Sequence, residues 1–198
     1  MFIVGILLIV TLLLLYIATN KLARRYLYEL SLLEVIWTIL PGVVLVSLGI
    51  PRLIILYNRE KNFLCNLNIK VTGHQWFWRY DYSDFTNVEF DSYIKAFGDL
   101  KVGELRLLET DNNIVLPFKS NCQFLVSSSD VLHRWTVPSL GVKVDANPGR
   151  INLVSTDLPV CGLYYGQCSE ICGANHSFMP ICLEVTTFTL FKNWLKSF

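Results

Sequence analysis

The chain has 198 residues, a hydrophobic fraction of 53% and a formal net charge of +1. That apolar content is high for a soluble domain, and a charge so near zero argues against nucleic acid as a partner. The charges divide the chain: residues 1–61 carry six Lys/Arg and three Asp/Glu, and residues 62–198 carry eleven and thirteen. The second part, about 135 residues, is long enough to bury a core of its own.

Residues 1–19 contain no charged side chain. At ~1.5 Å per residue they reach ~28 Å, close to the ~30 Å of a bilayer core. A cleaved signal peptide would carry a positive start and a small-x-small cleavage site. Met1-Phe2-Ile3 and Ile17-Ala18-Thr19-Asn20 supply neither, so a retained span over about 2–19 is predicted. Lys21, Arg24 and Arg25 follow at once, and short basic loops stay on the side of synthesis. A second span is predicted over about 31–57, with Pro41 and Pro51 inside it. Arg52 lies near its outer end and can snorkel to the interface. Glu34 lies about one turn into the span. A carboxylate at that depth is costly unless it faces protein or water, which marks Glu34 as a functional candidate. The plainer alternative is a solvated helix-end acid.

From Asn66 the character changes to short runs rich in β-formers. Strands are predicted over 69–72, 74–80, 105–110, 114–118, 122–127, 133–137, 142–144, 150–155, 162–166 and 181–185. Gly103, Asn112-Asn113, Pro138, Pro148-Gly149 and Pro159 punctuate them. Many short strands with no long helical period imply a sandwich or barrel. Leu190, Phe191, Trp194 and Leu195 recur at helical spacing and predict a short terminal helix. In the aromatic run 76–85, Trp78 and Tyr80 are expected to pack across the sheet.

Six cysteines are present. Cys65, Cys122, Cys161 and Cys182 have no legible ligand spacing and are expected to be buried as small hydrophobes. A disulfide among them is the alternative in an oxidising compartment. Cys168 and Cys172 differ. They open the stretch Cys168-Ser169-Glu170-Ile171-Cys172-Gly173-Ala174-Asn175-His176-Ser177-Phe178-Met179. Thiolate and thioether are soft donors that select copper, and Met is not a usual zinc ligand. Glu170 offers a carboxylate and a backbone carbonyl. Two thiolates so close in sequence can bridge two metals, and such a site needs one further His. Of the three histidines, His133 stands where an apolar strand hands over to a loop, and His74 is expected to be structural. A surface loop closed by a Cys168–Cys172 disulfide is the bland alternative.

Asp130-Val131-Leu132-His133 followed by this stretch resembles the dinuclear copper A centre of cytochrome c oxidase subunit II, in wording closest to mitochondrial members. The segments 73–78, 137–145 and 162–168 extend the resemblance over nearly the whole chain. It implies a two-helix transmembrane hairpin, residues 1–61, followed by an all-β, cupredoxin-like Greek-key sandwich, residues 62–198. It implies that Cys168 and Cys172 bridge two coppers, that His133 and Met179 complete one, and that His176 and the Glu170 carbonyl complete the other. The Glu170 side chain is then expected to reach a magnesium ion shared with the catalytic haem-copper subunit. Trp76 matches the residue at which electrons arrive from cytochrome c. Glu34 matches the mouth of a proton channel. Asp81, Asp84, Asp91 and Asp130 are expected to form an acidic rim that steers cytochrome c. The setting implied is the mitochondrial inner membrane, with the copper domain in the intermembrane space. A quinol-oxidase subunit would lack the ligand set, and a copper carrier would need no docking surface.

Overall fold

The computed structural model describes residues 2–22, 29–61 and 65–198. The chain forms two compact units, Met1–Lys61 and Asn62–Phe198. In the first, α1 spans Phe2–Thr19 and α2 spans Ser31–Lys61. Both are long and apolar enough to cross a bilayer, and their apolar side chains are exposed along their length. Hydroxyls on them bond within the helix: Thr11 donates to the Leu7 carbonyl, Thr19 to Leu15, Thr38 to Glu34 and Ser47 to Val44. Lipid offers no other acceptor, so internal pairing is what a spanning helix requires. Glu34 falls in the first turn of α2, where the helix dipole favours a negative charge. Arg24 and Arg25 of the basic loop lie outside the described residues.

The second unit is a β-sandwich. Its larger sheet orders the strands β3 (Glu89–Ser92), β2 (Phe77–Asp81), β1 (Leu67–His74), β5 (Asn121–Ser128) and β8 (Asn152–Asp157). A second sheet orders β4 (Ile114–Pro117), β10 (Pro180–Thr186) and β9 (Gly162–Gln167). β6 (His133–Val137) and β7 (Val142–Ala146) form a separate hairpin. β1 and β5 run parallel and alternate buried with partly exposed residues, as the period of two requires of strands with one face on a core. Leu67, Ile69 and Val71 from β1, Phe124 and Val126 from β5, and Ile181, Leu183 and Val185 from β10 meet in that core. Trp78, Tyr80, Tyr82 and Trp135 are fully buried, and each finds a polar partner. The Trp135 indole donates to the Tyr80 hydroxyl at 3.4 Å, and the Tyr82 hydroxyl to the Val115 carbonyl at 2.7 Å. Large rings contribute most to burial, and their polar tips need such bonds inside. The terminal helix α3 (Phe188–Leu195) seats Phe191 in the same core.

Two expected strands are corrected. The run 74–80 is not one strand: the chain turns at Gln75-Trp76, and His74 pairs back with Phe77. No Gly or Pro marks this turn. A tertiary contact holds it instead, the Gln75 amide donating to Asp130 Oδ2 at 2.7 Å. The run 105–110 is a series of turns. The Glu109 carboxylate accepts from the Leu105 amide and from the Tyr165 hydroxyl, which folds the segment onto itself. β3 was not expected, because its sequence Glu89-Phe90-Asp91-Ser92 has little β character. The six cysteines are all free. Cys122 and Cys182 are buried as expected, but Cys161 is exposed and Cys65 only half-buried.

Gly166 on β9 lies directly against β6: a Cβ added there would stand 2.0 Å from the Thr136 carbonyl oxygen. The obstacle is backbone and cannot rotate away. Gly166→Ala is therefore expected to destabilise the domain by ~3 kcal/mol or more, the upper end for overpacked sites, as read by denaturant unfolding.

Candidate metal centre

The site is built on the ends of three strands. β9 ends at Gln167 and β10 begins at Pro180, and these two residues pair. The twelve residues between them form a loop that this pairing closes at its base. Inside the closure the Cys168 amide donates to the Met179 carbonyl at 3.3 Å. The Trp78 indole donates to the same carbonyl at 3.4 Å. His133 opens β6.

These elements bring together the donors that the sequence singles out. His133, Cys168 and Cys172 place one ligand atom each within 4.8 Å of one another, and all three are buried. The two sulfurs are 4.0 Å apart. His133 Nδ1 is 3.9 Å from Cys168 Sγ, and His176 Nδ1 is 3.5 Å from Cys172 Sγ. Met179 Sδ is 3.5 Å from Cys172 Sγ. The Glu170 carbonyl oxygen is 3.4 Å from Cys168 Sγ. His74 is not part of the group. Its Nδ1 bonds the Ser129 hydroxyl and its ring stacks on Phe77 at 4.6 Å.

The electrostatics favour a cation. Burial works against ionisation of Cys168, but the His133 ring and nearby backbone groups hold its thiol below the ordinary range. Burial, with the Cys168 charge beside it, pushes Cys172 the other way. Two thiolates this close cannot both ionise without a positive charge between them. The set of two thiols, two imidazoles, a thioether and a carbonyl suits copper among the common metals.

Supporting contacts were not legible in the sequence. His133 Nε2 lies 2.9 Å from Asp130 Oδ1, which turns Nδ1 toward the sulfurs. A Cβ on Gly73 would stand 2.9 Å from the His133 ring, so the bare backbone of β1 makes room for it. The Gln75 side chain donates to the Cys172 carbonyl at 2.7 Å. The Trp76 indole approaches Gly173, the residue after Cys172: a Cβ there would meet Trp76 Cζ2 at 3.1 Å. Asp130 thus supports a donor. Asp91 is paired with Arg79, and Asp84 accepts from the Asn68 amide. Asp81 pairs in register with Lys70, three residues along β1 from Gly73, or ~10 Å. The four acids are strung along the β1–β2 hairpin and beyond it, and three have internal partners. The Glu170 carboxylate is bonded through Oε2 to Arg134 at 2.8 Å. Glu34 belongs to the first unit, on the opening turn of α2.

The family model for cytochrome c oxidase subunit II, periplasmic domain, matches residues 67–186, and that for its transmembrane domain matches residues 1–55. The chain belongs to the cytochrome c oxidase subunit II family. It is 50% identical over 197 residues to cytochrome c oxidase subunit 2 of Lasius sp, covering 98% of this chain and 87% of that one. It is 46% identical over 196 residues to the same protein of Ctenocephalides felis, covering 97% and 86%. The crystal structure of the periplasmic domain of subunit II of cytochrome oxidase of Bradyrhizobium japonicum superposes with a TM-score of 0.63 at 41% identity. It covers 67% of this chain and 93% of that one. The sandwich is therefore cupredoxin-like, and the protein is a membrane-anchored subunit of an oxidoreductase. The family binds copper, and the donors present fit it.

Contacts behind a metal ligand set its orientation, and losing one typically weakens metal binding ~10–100-fold. Asp130→Asn is expected to lower copper affinity in that range while the fold is kept, as measured by competition with a copper chelator.

Proposed function

We propose that this subunit receives electrons one at a time from reduced cytochrome c and passes them to the haem of the catalytic subunit, where oxygen is reduced to water with proton pumping. The observation that carries this reading is the convergence of four further donors on two buried sulfurs 4.0 Å apart. Cys168 and Cys172 would hold both metals of a copper A pair, His133 and Met179 one of them, and His176 and the Glu170 carbonyl the other. The pair, when bound, supplies a single-electron couple whose charge is spread over two metals. The chain's own part is to keep those donors fixed and dry, so that little has to move when charge arrives. His133 and Met179 are buried, and the closed β9–β10 base holds the loop in place.

Trp76 is the entry residue in this reading, supported by its approach to Gly173 beside Cys172. Cytochrome c docks over it. Asp81, Asp84, Asp91 and Asp130 contribute long-range attraction rather than one continuous rim. The Glu170 carboxylate offers Oε1 to a magnesium ion shared with the catalytic subunit, its Oε2 being held by Arg134. Glu34 sits at the mouth of a proton path on the opposite side of the membrane. The spans, about 2–19 and 31–57, lie in the mitochondrial inner membrane, with residues 62–198 in the intermembrane space. The insect relatives support that setting.

In this reading each thiolate would hold both metals, so Cys168→Ser and Cys172→Ser should each abolish the dinuclear centre. Copper content and EPR of the purified oxidase test this. Two coppers with an unchanged spectrum in either variant would refute the assignment.

Two further variants separate the ends of the protein. Trp76→Phe is expected to slow reduction of the copper centre in stopped flow while cytochrome c binding stays near normal. Glu34→Gln should leave copper content and electron entry intact and slow steady-state oxygen consumption. Wild-type entry in the first, or wild-type turnover in the second, would remove that residue from the mechanism.

A further inference from the structure

We propose that Arg134 is a positioning residue for the metal centre: its guanidinium anchors the Glu170 side chain outward and so fixes the Glu170 carbonyl toward the sulfurs. The proposal rests on the copper reading above. Arg134 directly follows His133 on β6, and the alternation of the strand points its side chain to the other face. Its Nη2 lies 2.8 Å from Glu170 Oε2 on the loop. Its Nε pairs with Asp145, its partner in register on β7. Its carbonyl accepts the Ser169 amide at 3.0 Å. Residue 134 thus grips 169 and 170 by both backbone and side chain, immediately after Cys168.

The geometry of Glu170 makes this grip matter. Its carbonyl oxygen stands 3.4 Å from Cys168 Sγ, while its carboxylate points away to Arg134. Anchoring one end of the residue constrains the other, because both hang on one Cα. A planar guanidinium can serve two carboxylates at fixed angles, which an ammonium cannot do. The Arg134 and Glu170 side chains are 31% and 33% exposed, and exposed ion pairs add little to stability. The role is therefore one of direction rather than of holding the fold. A carbonyl oxygen is a hard donor that favours Cu(II) over Cu(I). Loosening it should raise the midpoint potential.

The test is a double-mutant cycle in the copper-loaded chain within the intact oxidase. Arg134→Lys keeps the charge and removes the fork. Glu170→Gln removes the carboxylate and keeps the peptide carbonyl. Both single variants should retain copper, shift the midpoint potential upward and alter the copper hyperfine pattern in EPR. The double variant should shift no further than the larger single one, since both changes break one contact. In the metal-free chain, the Ser169 amide should exchange faster with solvent in all three. An unmoved potential in Arg134→Lys, additive shifts in the double variant, or loss of copper from Arg134→Lys would each overturn the proposal. Failure of the copper reading is visible separately: Cys168→Ser would keep the copper spectrum, while the Ser169 exchange result would be unaffected.

Discussion

Two sulfurs held 4.0 Å apart in a buried pocket are the constraint to which the sandwich conforms. Thiols at that distance repel when ionised, and burial strengthens the repulsion. The fold keeps them there by closing the loop at its base through Gln167 and Pro180 and by bonding the Cys168 amide to the Met179 carbonyl. The same carbonyl receives the Trp78 indole from the opposite sheet. The loop is therefore fixed to both layers of the core before any metal is considered, which is the preorganisation a metal site needs.

The larger sheet serves the site as much as the core. β1 gives up a side chain at Gly73 so that the His133 ring can lie against it. The turn that follows sends Gln75 to two destinations, its amide to Asp130 and its side chain to the Cys172 carbonyl. Asp130 in turn holds His133. One turn thereby connects the two sides of the donor set, and it carries Trp76 to the loop surface at Gly173.

The donors themselves were legible because their chemistry is rare: two Cys, a His and a Met at fixed spacing in a chain with three histidines and two methionines. The spans were legible because lipid demands unbroken apolar length. Most strands of the sandwich were legible from alternation. What could not be seen was whatever depended on partners distant in sequence. The turn at Gln75-Trp76 has no local signal, because Asp130 holds it from 55 residues away. Asp130 reads as a surface acid until its distance to His133 is known. Residues 105–110 look like a strand by composition, yet Glu109 draws them into turns through Tyr165. Arg134 appears as one more surface cation beside a ligand, and only the fold gives it two carboxylates.

The parallel pairing of β1 with β5 has a consequence for how the protein is made. β1 is the first strand of the domain, and its register aligns Leu67 with Cys122. The opposite face of the core is supplied by β10, and Phe191 of α3 joins it. Contacts so remote in sequence form slowly, because a long loop must be closed before they stabilise anything. No early fragment of the chain contains both His133 and the loop from Cys168 to Met179. The copper pocket is thus completed only once the chain has been made beyond the Gln167–Pro180 pairing that closes the loop, and metal loading follows that late closure rather than the folding of the first strands.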